Sequence, residues 1–165
     1  MNKRIYNVLF LCTGNSARSI LAEGLLNKLG AGRFRGFSAG SQPAGEVNPL
    51  ALERLLLENI FLPDARSKSW NEFAEPGAPD MDFAITVCDN AAGEICPVWP
   101  GRPITAHWGV LDPAAAEEDG KRLAFAKAFA ILERRIGIFT SLHPESLEKL
   151  ALEQKVREIG LTEEE

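Results

Sequence analysis

What the sequence does without narrows its function before any motif is read. No stretch carries the roughly 18 consecutive apolar residues that a membrane-spanning helix needs. Histidine is scarce, with two in 165 residues, and no CxxC pair occurs, so the usual spacing of a zinc site is missing. The cysteines number three, Cys12, Cys88 and Cys96. An odd count argues against a closed structural disulfide framework and favours a reducing compartment. No basic excess exists either: 18 Lys and Arg face 23 Asp and Glu, a net charge of −5. Such a surface attracts neither nucleic acid nor anionic membrane, so an anionic substrate requires a local site that overcomes the global field. Low-complexity tracts, internal repeats and linkers are also missing. The expectation is therefore one domain over 1–165, with a core of about 5–140 and a C-terminal helix of about 144–158.

At the N-terminus Lys3 and Arg4 precede a short apolar run, Ile5 to Leu11, that ends in Cys12. The run is short for a secretion signal, and Leu11 is not the small residue a cleavage site needs. A mature, cytoplasmic chain is expected.

Residues 5–11 suit a strand buried on both faces, as in a parallel sheet. Arg18 to Leu29 reads as a helix through Leu21, Leu25 and Leu29, stopped by Gly30. Arg33 to Ala39 is a second strand. Asn48 as N-cap with Pro49 behind it starts a helix to Glu58. A short helix near Trp70 to Ala74 interrupts an irregular stretch. Asp82 to Val87 is a third strand ending at Cys88, a Gly- and Pro-containing loop fills 89–101, and Ile104 to Trp108 is a fourth strand. A turn at Asp112-Pro113 leads to a helix of about 120–139 with Leu123, Ala126, Phe129, Leu132, Ile136 and Phe139 on its apolar face. A more polar helix covers 144–158, closed by Gly160. This alternation argues for a doubly wound α/β layer, in which ligands bind at the C-terminal ends of the strands.

The segment Cys12-Thr13-Gly14-Asn15-Ser16-Ala17-Arg18-Ser19 stands at such an end, between the first strand and the first helix. A five-residue loop between Cys and Arg can wrap an anion with successive N–H groups, and the helix start adds its positive end. Gly14 is expected to take a conformation that a side chain forbids. The Arg18 fork matches two oxygens of a tetrahedral oxyanion. The same field should hold Cys12 as a thiolate, below the ordinary pKa of about 8.5. Asn15 and Ser19 are expected to brace the loop, and the Ser19 hydroxyl to be in reach of the Cys12 sulfur.

Attack on a tetrahedral oxyanion leaves an oxygen that needs a proton, normally from a carboxylic acid on another loop. Asp112 follows the fourth strand and reaches the same sheet edge, with Pro113 fixing its backbone. A plain helix-entry turn is the alternative use of Asp-Pro. Cys88 sits at that edge too, and Cys96 lies eight positions on. Either they are core and incidental thiols, or they pass oxidation along by thiol–disulfide exchange.

The motifs CTGNSARS, HWGVLDP and VCDNAAGEICPVWPG resemble the arsenate reductases built on the low-molecular-weight tyrosine phosphatase fold. The resemblance covers about residues 5–140. It implies a flavodoxin-like three-layer α/β sandwich, a four-stranded parallel sheet of order 2-1-3-4 with helices on both faces. It further implies that Cys12 attacks arsenate held by the amides of residues 13–19 and by Arg18, while Asp112 protonates the departing oxygen. Cys88 then attacks Cys12 and arsenite leaves. Cys96 takes over the disulfide as Cys88–Cys96, for reduction by thioredoxin or a glutaredoxin/glutathione system. The implied role is arsenic detoxification by a monomer with no tightly bound cofactor. Some members hold a potassium ion; Asn15, Glu23 and Ser38 match its ligands, whereas Phe61 stands where those members carry aspartate. Arg66-Ser67-Lys68-Ser69-Trp70 also matches the family and is expected near the active edge.

Three rivals share parts of this pattern. A tyrosine phosphatase of the same fold would use Cys12, Arg18 and Asp112, with water resolving the intermediate. Those enzymes commonly place an aromatic after Asp-Pro, where this chain has Ala114, and often a second loop cysteine, where it has Ala17. An oxyanion-binding module would need neither Asp112 nor three placed thiols. A plain thiol–disulfide exchange protein would be expected to carry CxxC. His107 and His143 are read as structural.

Overall fold

The structure, a computed structural model, describes residues 4–88 and 101–161. Four strands form one parallel sheet: β1 (Tyr6–Cys12), β2 (Phe34–Gly40), β3 (Phe83–Thr86) and β4 (Ile104–His107), ordered β2-β1-β3-β4. The helices are α1 (Arg18–Leu29), α2 (Pro49–Leu57), α3 (Lys121–Thr140) and α4 (Lys149–Ile159). The flavodoxin-like α/β expectation and the strand order both hold.

β1 is central and apolar on both faces, and its side chains alternate between two cores. Val8, Phe10 and Cys12 join the larger one with residues of all four helices, while Leu9 and Leu11 join a smaller one with Trp70, Phe73 and Met81. Among the described residues, the second face is covered by a single 3-10 turn, Trp70–Phe73, rather than by a full helix. α1 is buried nearly all round because α2 and α3 pack against its outer side. The buried face of α3 is Phe125, Ala128, Phe129, Leu132, Ile136 and Phe139. Leu123, expected on that face, is exposed, since the first turn of α3 overhangs the core. Leu152, Val156 and Ile159 bury one side of α4, and the Trp108 indole donates to the Val156 carbonyl at 2.9 Å, tying α4 to the end of β4.

Parallel register decides what meets at the C-terminal edge. β1 pairs Cys12 with Gly40 of β2 and Leu11 with Thr86 of β3. Continuing that register by two residues brings Cys88 beside Thr13.

Candidate active site

The loop after β1 is held from outside by its carbonyls. Thr13 O accepts from Gln42 N (2.9 Å), Gly14 O from Ala44 N (2.9 Å) and Ser67 Oγ (2.9 Å), and Ser16 O from Asn48 N (2.8 Å). In a trans peptide the N–H points opposite to the carbonyl. The N–H groups of Gly14, Asn15 and Ala17 are thereby turned to the inner side of the loop. α1 follows with no side-chain cap and no acidic residue in its first turn, so its positive end is open to an anion.

Asn15 carries the strained backbone. Its φ is +47°, in the left-handed region, whereas Gly14 does not have a positive φ. This corrects the expectation for Gly14: asparagine tolerates the conformation because its side chain bonds locally. Asn15 is fully buried, donating to Ser19 Oγ at 2.8 Å and accepting from Lys68 N at 2.9 Å. Ser19 is thus the brace expected of it, with its oxygen engaged by Asn15. The glycine that matters sterically is Gly40. A Cβ there would lie 2.4 Å from Thr13 O and 2.9 Å from Cys12 O.

Arg18 spans from the loop to the segment after β4. One terminal nitrogen donates to Val110 O at 2.9 Å, and the other lies 3.9 Å from Asp112 Oδ2. Its Nε is buried and has no hydrogen-bond partner among the described residues. An unpaired buried donor is costly unless an acceptor arrives, which suits a residue that waits for an oxyanion. Asp112 is half-exposed. Its Oδ1 caps the 3-10 turn Pro113–Ala115 by accepting from Ala114 N at 3.0 Å, so the helix-entry reading and the reach toward Arg18 are both realised. Gly109 O, upstream in the same segment, is gripped by buried Arg135 of α3 at 3.0 Å.

The structure brings Cys12 and Cys88 together, both buried. Cys88 Sγ accepts from Thr13 N at 3.2 Å and lies 3.6 Å from Thr13 Oγ1. The sulfur of Cys88 therefore occupies the mouth of the loop beside Cys12. This changes the electrostatics expected for Cys12. Cys88, then burial, push its thiol above the ordinary range, and together they outweigh the downward pull of Arg18 and of the Thr13 amide. Cys96 lies outside the described residues.

Glu23 and Ser38 are adjacent, the Ser38 hydroxyl donating to Glu23 Oε1 at 2.5 Å. Phe61 is exposed. The residue facing that pair is Lys68, whose Nζ lies 3.4 Å from Ser38 Oγ. It was missed as a site residue because residues 66–68 belong to no regular element. Its signal was its match to the family pattern.

The family model for low molecular weight phosphotyrosine protein phosphatase matches residues 7–155. An arsenate reductase of Halalkalibacterium halodurans is 34% identical over 141 residues, covering 84% of this chain and 96% of that protein. Among solved structures, the thioredoxin-dependent arsenate reductase of Corynebacterium glutamicum superposes with a TM-score of 0.62 at 26% identity, over 83% of this chain; this chain spans 60% of that protein's length. The tyrosine phosphatase Wzb of Escherichia coli K30 gives 0.65 at 19% identity over 82% of this chain and 96% of its own, a likeness of fold alone. With its Cys-to-Arg loop at the C-terminal edge of a 2-1-3-4 parallel sheet, the chain belongs to the low molecular weight phosphotyrosine protein phosphatase family.

Proposed function

We propose that this protein reduces arsenate to arsenite, with Cys12 as nucleophile. The observation that carries the reading is Cys88 at the mouth of the oxyanion loop, bonded to the Thr13 amide next to Cys12. Hydrolysis of a phosphate ester has no use for a second buried thiol there. Reduction requires one. The arsenate reductases among its relatives support the same choice.

The steps balance as follows. Arsenate, held by the loop amides and the Arg18 fork, is attacked by Cys12 Sγ. An S–As bond forms and an As–O bond breaks, the oxygen leaving as water with a proton from Asp112. Cys88 Sγ next attacks Cys12 Sγ. The S–S bond forms, the S–As bond breaks, and its electron pair stays on arsenic, which leaves as arsenite. Cys96 attacks Cys88 to give Cys88–Cys96 and restore the Cys12 thiol. An external dithiol reduces that disulfide. We assign this last task to thioredoxin ahead of a glutaredoxin/glutathione couple, because a structural relative is thioredoxin-dependent. Arsenic detoxification is the role such a reaction would serve.

The test is arsenate-dependent NADPH oxidation with thioredoxin and its reductase, run beside glutaredoxin, glutathione and glutathione reductase. Turnover with the thioredoxin couple is expected. No turnover with either, together with ready hydrolysis of an aryl phosphate, would move the protein to the phosphatase reading.

A further inference from the structure

The segment after α2 touches the oxyanion loop, although no catalytic step needs it. Gly40 N donates to Lys68 O (2.9 Å), and Ser69 forms a parallel bridge to Gly40, so residues 67–69 are fastened along β2. Ser67 holds Gly14 O. Lys68 makes the most contacts. Its N–H donates to Asn15 Oδ1, and its ammonium donates to Arg66 O at 2.9 Å and lies 3.4 Å from Ser38 Oγ. Ser38 in turn donates to Glu23.

Glu23 and Lys68 are both withdrawn from solvent, and each restrains the other. Burial pushes the Glu23 carboxyl up, while Ser38, Lys68 and Arg66 pull it down. Burial lowers Lys68, while Glu23 raises it. A buried carboxylate requires a compensating positive charge. In relatives that bind potassium, the residues matching Asn15, Glu23 and Ser38 would supply the oxygens. Here they do not fit such an ion. Asn15 Oδ1 is taken by the Lys68 amide, and Ser38 Oγ is engaged by Glu23 and faces the Lys68 ammonium. Arg66 adds further positive potential at the same carboxylate. A second monovalent cation would meet repulsion, with its oxygen donors already committed.

We propose that Lys68 is the resident cation of this loop: a positioning residue whose ammonium lies against Ser38, the partner of Glu23, and whose amide holds Asn15, so that the oxyanion site needs no external potassium. The proposal rests on reading residues 12–19 as an oxyanion site, and not on whether the bound oxyanion is reduced or hydrolysed.

The experiment measures the affinity for inorganic phosphate and the melting temperature, each in KCl and in choline chloride at equal ionic strength. Neither readout involves arsenate or a reductant, so failure of the reductase reading leaves them unaffected. Wild type should give the same values in both salts. Lys68→Ala should bind phosphate about tenfold more weakly in choline, the scale of one lost charge-assisted contact, and potassium should restore most of that loss. Lys68→Met, which fills the space with an apolar chain, should be weakened alike in both salts. Lys68→Arg should keep the indifference to potassium. Stabilisation of wild type by potassium would overturn the proposal. So would a Lys68→Ala protein that matches wild type in choline or is impaired equally in both salts. Should Lys68→Ala not fold, wild type and Lys68→Arg decide: indifference of both supports a resident cation, and a potassium response in either refutes it.

Discussion

Replacing Gly40 by alanine tests how the oxyanion loop is held. The new Cβ would stand 2.4 Å from Thr13 O, 2.9 Å from Cys12 O and 3.0 Å from Asn15 Cβ. None of these can swing away as the tip of a flexible chain would. Thr13 O is fixed by Gln42 N, and Asn15 is fixed by Ser19 and Lys68. Either the loop or β2 must shift. Overpacking of this kind costs about 1–3 kcal/mol. At roughly 2–4 °C per kcal/mol for a chain of this size, the melting temperature should fall by about 2–12 °C. A loop displaced by about an ångström loses on the order of 10²-fold in rate through misplacement of the reacting groups. Gly14→Ala is the control. A Cβ there meets only Ser16 Oγ at 3.6 Å, an ordinary contact. Its stability should stay within about 0.5 kcal/mol of wild type. Thermal melts of both variants with a single-turnover rate for Gly40→Ala make the comparison. A Gly40→Ala protein that melts and reacts like wild type, or a Gly14→Ala protein that is the less stable of the two, would refute this account of the loop.

Two further substitutions probe the site. Cys88→Ala removes the largest influence holding the Cys12 thiol up, leaving burial opposed by Arg18 and the Thr13 amide, so iodoacetamide should alkylate Cys12 from a lower pH than in wild type. A folded-state pKa above the ordinary thiol value contributes stability that is complete below that value and is lost as pH rises toward the folded pKa. Wild type should therefore lose stability in the alkaline range above the ordinary thiol value and Cys88→Ala should lose less; equal alkaline losses, or a profile shifted upward, would contradict the hold of Cys88 on the Cys12 thiol. Asp112→Asn should slow the arsenate step by about 10²-fold while leaving phosphate affinity and melting temperature near wild type, since asparagine caps the Pro113–Ala115 turn as well as aspartate does. Unchanged single-turnover arsenate reduction would remove Asp112 from its role as the acid.

The sheet was legible because a buried parallel strand has a plain signature. Residues 5–11 are apolar but for Asn7 and do not alternate, and the observed β1 is Tyr6–Cys12. Asn48-Pro49 marked the start of α2, and the Asn48 side chain does accept from Leu50 N. Cys12 and Arg18 were readable as a pair because the loop between them is local in sequence. Contacts brought about by register were harder to read. That Cys88 bonds to Thr13 depends on β3 lying beside β1, and with it goes the reversal of the expected shift at Cys12. The positive φ fell on Asn15 rather than Gly14 because carbonyls tied to 42–48 and 67 set the loop's path. Lys68 was read as part of a motif, but Asn15 and Ser38, which it meets, are 30 and more positions away along the chain, and no local pattern encodes them. Leu123 shows the limit of helical periodicity: the spacing was right, but the core ends before the first turn of α3.

The most direct test of the central claim uses Cys96→Ser with arsenate and no external reductant. The reaction should stop after one turnover, with one arsenite released per chain and a Cys12–Cys88 disulfide recovered by peptide mapping. Free Cys12 and Cys88 thiols after exposure to arsenate, with no arsenite formed, would contradict a relay that begins at Cys12.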